Sequence, residues 1–169
     1  MLYTVYAFIS TEIFDCQSGF RQKDSTSLQL LRLVQQWSEA VDQGYYVGVI
    51  FFDLQKAFER VWHGGLLVKL EVMGVRGDAL SWFHSYLSGR SQCRKVAGVT
   101  SEFADLHAGV PQGAILSPLL LTVFVNDLPK HVSSSDINLF ADNTSAYVQA
   151  KTTCALADGL HAAVAECSA

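Results

Sequence analysis

Between Ser25 and Gly44 the apolar residues Leu28, Leu31, Val34, Trp37 and Val41 recur at helical spacing. That spacing predicts an amphipathic helix, capped by Ser25 or Thr26 and ended by Gly44. The pattern then changes. "YYVGVIFFDL" is a run of β-branched and aromatic residues of strand length, and predicts a buried strand ending near Asp53. Two shorter helices follow around Gly65–Met73 and Asp78–Leu87, each closed by a glycine, Gly74 and Gly89. "SQCRKVAGVTSEFADLHAG" alternates around "GVTS" as a hairpin does, and a helix opens near Ser117-Pro118, where proline is tolerated in the first turn. "DINLFADNTSAYVQA" predicts two short strands about an Asp142-Asn143 turn, and "TCALADGLHAAVAEC" a helix interrupted by Gly159. This order predicts an α+β fold with a mainly antiparallel sheet covered by helices on one face.

Composition narrows the class. A chain of 169 residues, half hydrophobic and 17% charged, supports one globular domain with a core. The net charge of -4 argues against a free-standing nucleic-acid binder with a basic face, although it permits a local basic channel. Cys16, Cys93, Cys154 and Cys167 lack metal-ligand spacing and predict reduced, buried thiols of an intracellular protein. The apolar start "MLYTVYAFIS" has no basic region or cleavage site of a signal peptide. The longest apolar tract, "AILSPLLLTVFV", is too short to span a bilayer, so a soluble protein is expected, with no membrane partner.

The chemistry starts from two acids. Asp53 and Asp142 each follow an apolar strand, and each alone reads as a turn or cap residue. Together, at the ends of strands that could be neighbours in one sheet, they form a pair of carboxylates suited to hard divalent cations. Such a pair is compatible with two-metal phosphoryl transfer.

Three more segments surround these acids: "QSGFRQKDSTSL" (17–28), "FFDLQKAFERVWH" (51–63) and "GVPQGAILSPLL" (109–120). In this order, closed by "LFADN" (139–143), they resemble the reverse transcriptase family, and most closely its non-LTR retrotransposon branch. The resemblance extends from about Gln17 to about Val164. It implies a right-hand polymerase palm over residues 45–169, incomplete at its C-terminus, partial fingers over residues 1–44, and no thumb. It also implies RNA-directed DNA synthesis from an RNA template, a DNA primer and deoxynucleoside triphosphates, with two Mg²⁺ or Mn²⁺ ions. Asp53 and Asp142 become the metal carboxylates, with the Leu54 carbonyl nearby. Phe58 becomes a steric gate beneath the incoming sugar. Gln112 and Gly113 line the nucleotide or its template partner, with Gly109 and Gly113 allowing close backbone approach. Arg21 and Lys23 face phosphate.

The sequence departs from the family pattern at Asn143, where a second aspartate is usual. An amide oxygen can still coordinate a cation but brings no charge. At an effective dielectric near 20, a unit charge pair at ~4 Å is worth roughly 4 kcal/mol, an upper bound of nearly three decades in rate. Weak or absent activity is therefore expected of this chain, with Asn143 as a weakened catalytic ligand. The rivals are a catalytically dead retrotransposon-derived fragment or binding module, and a two-metal nuclease, which has no need of Phe58 or "PQG". Oligomeric state and compartment are left open.

Overall fold

The computed structural model describes residues 2–21 and 23–168. The elements run α1 (Leu2–Thr11), α2 (Thr26–Asp42), β1 (Tyr46–Asp53), a 3₁₀ turn (Ala57–Arg60), α3 (His63–Val72) and α4 (Asp78–Leu87). Four two-residue strands follow: β2 (Ser91–Gln92), β3 (Lys95–Val96), β4 (Val99–Thr100) and β5 (Ala104–Asp105). The chain then forms α5 (Ser117–Val125), α6 (Leu128–His131), β6 (Asp136–Phe140), β7 (Asn143–Ala150) and α7 (Thr153–Cys167). Helices and antiparallel sheets are thus mixed along one chain, and the chain divides into two compact units.

One unit comprises residues 13–55 and 125–169. Its centre is an antiparallel sheet of order β1-β7-β6. Strand alternation sorts this sheet into two faces. One face carries Gly48, Phe52, Ile137, Leu139, Ala146 and Val148, by register. Val132, Ile137, Leu139 and Ala146 form a buried cluster there, flanked by Phe52, Leu128 and Cys167. Helix α7 lies against this face at close range: a Cβ on Gly159 would stand 2.6 Å from Val148 Cγ1. The helix therefore continues through Gly159 instead of breaking there, because the missing side chain is what admits the strand. The C-terminal end of α7 is tied down separately. The Glu166 carboxylate accepts hydrogen bonds from the backbone N–H and hydroxyl groups of both Ser133 and Ser134, at 2.8–3.0 Å.

The opposite face carries Val49, Phe51, Asp53, Asn143 and Tyr147. Here α2 packs, with Trp37 edge-on to Tyr147 at a centroid distance of 6.4 Å. The sheet is thus covered on both faces, not on one. The cover is incomplete, since Phe51 is 73% exposed in a strand expected to be buried. Ser25 caps α2 by accepting the Leu28 N–H at 3.2 Å, and Gly44 follows its end with φ of 76°. The helix buries Gln29, Leu33 and Ala40, while Leu28, Leu31, Val34 and Val41 of the expected stripe are exposed. Its apolar arc is wider than one packing face, and the sheet takes the side of Leu33.

The other unit comprises residues 1–12 and 56–124. It buries Ile9, Val61, Leu66, Leu70, Phe83 and Leu87. The expected hairpin is present, but its turn is Ala97-Gly98, both with positive φ, and "VT" of "GVTS" forms its second strand. Among the described residues no helix is long and apolar enough to cross a membrane.

Candidate functional site

In the sheet-bearing unit, Asp53 is the last residue of β1 and is the register partner of Asn143, the first residue of β7. Phe140 pairs with Asn143 across the β6–β7 hairpin, so the two-residue loop is Ala141-Asp142 and not Asp142-Asn143. Asp142 thus sits at the tip, next to the residue opposite Asp53. Asp53 and Asn143 are exposed and Asp142 is half-buried. The two acids and the amide reach one sheet end, with the exposed Leu54 following Asp53.

This hairpin tip is braced by the segment "QSG". Ala141 adopts φ of 58°, a left-handed conformation that costs an L-residue about 1–2 kcal/mol. Gln17, fully buried, holds it from outside the hairpin. Its side-chain oxygen accepts the Ala141 N–H at 3.0 Å and the Gly19 N–H at 2.7 Å, and its Nε2 donates to the Ala141 carbonyl at 3.4 Å. The Leu139 N–H donates to the Cys16 carbonyl, and the Ser18 N–H to the Leu139 carbonyl, at 2.7 and 2.9 Å. Gly19 is required by proximity: a Cβ there would stand 2.1 Å from Ala141 N. Sequence reasoning missed Gln17 and Gly19. The only signal was an amide in a short motif far from "LFADN".

Arg21 is engaged within the protein itself. Its Nη1 donates to the Phe14 and Gln17 carbonyls at 3.2 and 3.4 Å and pairs with Asp15 at 3.4 Å. It therefore holds the Gln17 loop together. Arg21 and Lys23 line a cavity of about 700 Å³, whose walls also carry Asp15, Asp24 and Asp136. The wall of this cavity is therefore of mixed charge. Asp24 is committed to Arg32 at 2.9 Å; burial raises its pKa, but hydrogen bonds and charge from Arg32, with those from Ser25 and Ser18, outweigh this and leave it lowered.

Phe58, Gln112 and Gly113 belong to the other unit, where they are connected by a set of hydrogen bonds. The Phe58 carbonyl accepts the Val110 N–H at 2.7 Å, and the Val61 carbonyl accepts the Gly109 N–H at 2.8 Å. His63 Nε2 lies 2.7 Å from the Gly109 carbonyl oxygen, to which it donates in the Nε2–H tautomer. A Cβ on Gly109 would stand 2.8 Å from the Glu59 carbonyl oxygen, so glycine there admits the chain's own backbone. At Gly113 nothing lies within 4 Å, and glycine serves its φ of 82° instead. The Ser117 hydroxyl donates to the Pro111 carbonyl at 2.6 Å, joining the turn to the start of α5. The gate segment and the Pro-Gln-Gly turn thus form one braced substructure. His63 and Ser117 were not singled out from the sequence. Lys56 and Glu59 pair at 3.7 Å beside Phe58.

The donor set can be tested against a divalent cation. Two carboxylates and an amide at the end of a hairpin are hard oxygen donors of the kind Mg²⁺ or Mn²⁺ takes. Among the described residues there is no group of three or more His, Cys, Asp or Glu side chains able to hold a metal. Besides the two acids, the protein oxygens at this sheet end are the Asn143 amide and backbone carbonyls such as that of Leu54.

The family model described as reverse transcriptase (RNA-dependent DNA polymerase) matches residues 2–169. The chain is 34% identical over 151 residues to the RNA-directed DNA polymerase from mobile element jockey of Drosophila melanogaster, covering 85% of this chain and 16% of that protein. It is 41% identical over 115 residues to the probable RNA-directed DNA polymerase from transposon BS of the same organism, covering 68% of this chain and 13% of the relative. A probable RNA-directed DNA polymerase from transposon X-element, also of that organism, is 34% identical over 148 residues, with 85% and 16% covered. The chain thus spans about a sixth or less of the length of these curated relatives.

Proposed function

The chain belongs to the reverse transcriptase (RNA-dependent DNA polymerase) family, in its non-LTR retrotransposon branch, and we propose that its Asp53–Asp142 sheet end is the nucleotidyl-transfer centre of an RNA-directed DNA polymerase. The observation that supports this most is the register pairing of Asp53 with Asn143, which brings both acids to one end of a braced hairpin. In this reading the β1-β7-β6 sheet is the core of a polymerase palm spanning residues 45–169, and residues 1–44 contribute partial fingers.

The reaction is attack of a primer 3′-hydroxyl on the α-phosphate of a deoxynucleoside triphosphate, with pyrophosphate leaving. Asp53 and Asp142 would hold the divalent cations, with the Asn143 amide as a weakened third ligand and the Leu54 carbonyl as a further oxygen donor. When bound, two such cations supply activation of the attacking oxygen and stabilisation of the leaving one. The Phe58 ring lies beneath the sugar and disfavours a 2′-hydroxyl. Gln112 and Gly113 contact the nascent base pair. Arg21 acts on this centre indirectly, through the Gln17 loop. Asn143 sets the level of activity: with one charge fewer, the chain is a weak polymerase or a template-binding module.

The test is primer extension on an RNA template with deoxynucleotides and Mg²⁺ or Mn²⁺. Asn143→Asp is expected to raise extension, by no more than about three decades, and Asp53→Ala to abolish it. Phe58→Ala is expected to admit ribonucleotides. Extension that persists in Asp53→Ala would remove the assignment. Absence of extension in every variant, with hybrid binding retained, would leave the binding-module reading.

A further inference from the structure

The net charge of -4 is not evenly spread. The sheet-bearing unit has five Lys and Arg against ten Asp and Glu, while the other unit has seven against six. Within the latter, the segment from Ser88 to Ser101 carries Arg90, Arg94 and Lys95 and no acid. This segment forms one wall of a groove of about 650 Å³, and the Gly109–Gln112 turn forms another. Arg90, Ser91, Gln92, Arg94 and Gln112 supply side-chain donors to it. Its one carboxylate, Glu59, is paired with Lys56. Among the described residues neither Arg90 nor Arg94 is paired with a carboxylate.

Arg90 is also pre-oriented. Its guanidinium lies 5.3 Å from the Tyr86 ring centroid, and Tyr86 stacks on Trp82 at 5.3 Å with an interplanar angle of 13°. Nη1 donates to the Tyr86 carbonyl at 3.3 Å, which leaves its remaining N–H groups for an outside acceptor. A guanidinium held this way loses little freedom on binding a phosphate. The second guanidinium, that of Arg94, lies four residues on and lines the same groove. Such a track suits a polymer of phosphates better than a single one.

We propose that the Arg90–Arg94 groove binds the phosphodiester backbone of an RNA–DNA hybrid and leads it towards Gln112. The proposal rests on the polymerase reading for the identity of the nucleic acid, and on the groove's own chemistry for the binding. Phosphate contacts of this type fix position and carry the salt dependence of affinity.

The test is fluorescence anisotropy of a labelled RNA–DNA hybrid with the full chain, across a salt series and without nucleotides, so that catalysis is not required. Arg94→Ala is expected to bind about fivefold more weakly, with a log–log salt slope shallower by about one unit. Arg94→Lys is expected to restore the slope. Arg94 is exposed, and an unchanged melting temperature checks that the variant is folded. Wild-type binding with an unaltered Arg94→Ala affinity and slope would overturn the groove while leaving the polymerase reading intact. Absence of wild-type binding at low salt would overturn both. Displacement of the hybrid by inorganic tripolyphosphate from the wild type, and not from Arg94→Ala, would assign the groove to nucleotide phosphate and overturn the proposal as well.

Discussion

Gln17 shows how much a single amide can decide. It is fully buried, lies 124 positions before Ala141, and satisfies two backbone N–H groups with one oxygen. One of these belongs to the strained residue that aims Asp142. An apolar side chain of similar size fills the same space but leaves both donors unpaired, at about 1–3 kcal/mol for each buried orphan. Gln17→Leu is therefore expected to lower the unfolding free energy by about 2–6 kcal/mol, measured by urea denaturation. Gln112→Leu, an exposed amide, serves as the neutral comparison. Equal stability of the two variants would show that the Ala141 turn holds itself.

At the scale of elements, the attachment of α7 depends on both ends. Along the helix, Gly159 and Gly48 let it approach the sheet. At its C-terminal end, Glu166 collects four hydrogen bonds from the Ser133-Ser134 loop that precedes β6. The backbone and side-chain donors of Ser134, then those of Ser133, lower its pKa from 4.5 to about 2. A folded-state pKa below the unfolded one gives stability that is present above about 4.5 and lost as pH falls towards 2. Glu166 is only half-buried, so the contribution is small and screened by salt. The melting temperatures of wild type and Glu166→Gln should differ by a constant amount above pH 4.5 and converge as the pH approaches 2. A difference that stays constant through the acid range would show that the contact contributes nothing through its charge.

At the scale of the whole chain, what the sequence reveals is what depends on local pattern. Strand β1, helices α2 and α5, and both glycine-closed helices, α3 and α4, were legible from periodicity and caps. The two acids were legible because each interrupts an apolar run. Contacts between distant segments were not: nothing in "QSGFR" announces that Gln17 reaches Ala141, or in "VWH" that His63 reaches Gly109. The thiols illustrate the same limit. Four scattered cysteines predict buried, reduced groups, yet all four are free and only two are sheltered. Cys93 and Cys154 are exposed, because one lies in a short-stranded edge segment and the other in the first turn of α7. Burial pushes the Cys16 thiol up, and burial and then the Glu166 charge push the Cys167 thiol up. Reactivity follows the thiolate fraction and access together, so the two classes separate kinetically. A thiol reagent at mildly alkaline pH should modify Cys93 and Cys154 in a fast phase, with Cys16 and Cys167 following in a slow phase that becomes fast in denaturant. Mass spectrometry of the partially labelled chain identifies which sites carry the label. Equal rates at all four would mean that the fold opens around Cys16 and Cys167 faster than the reagent reacts.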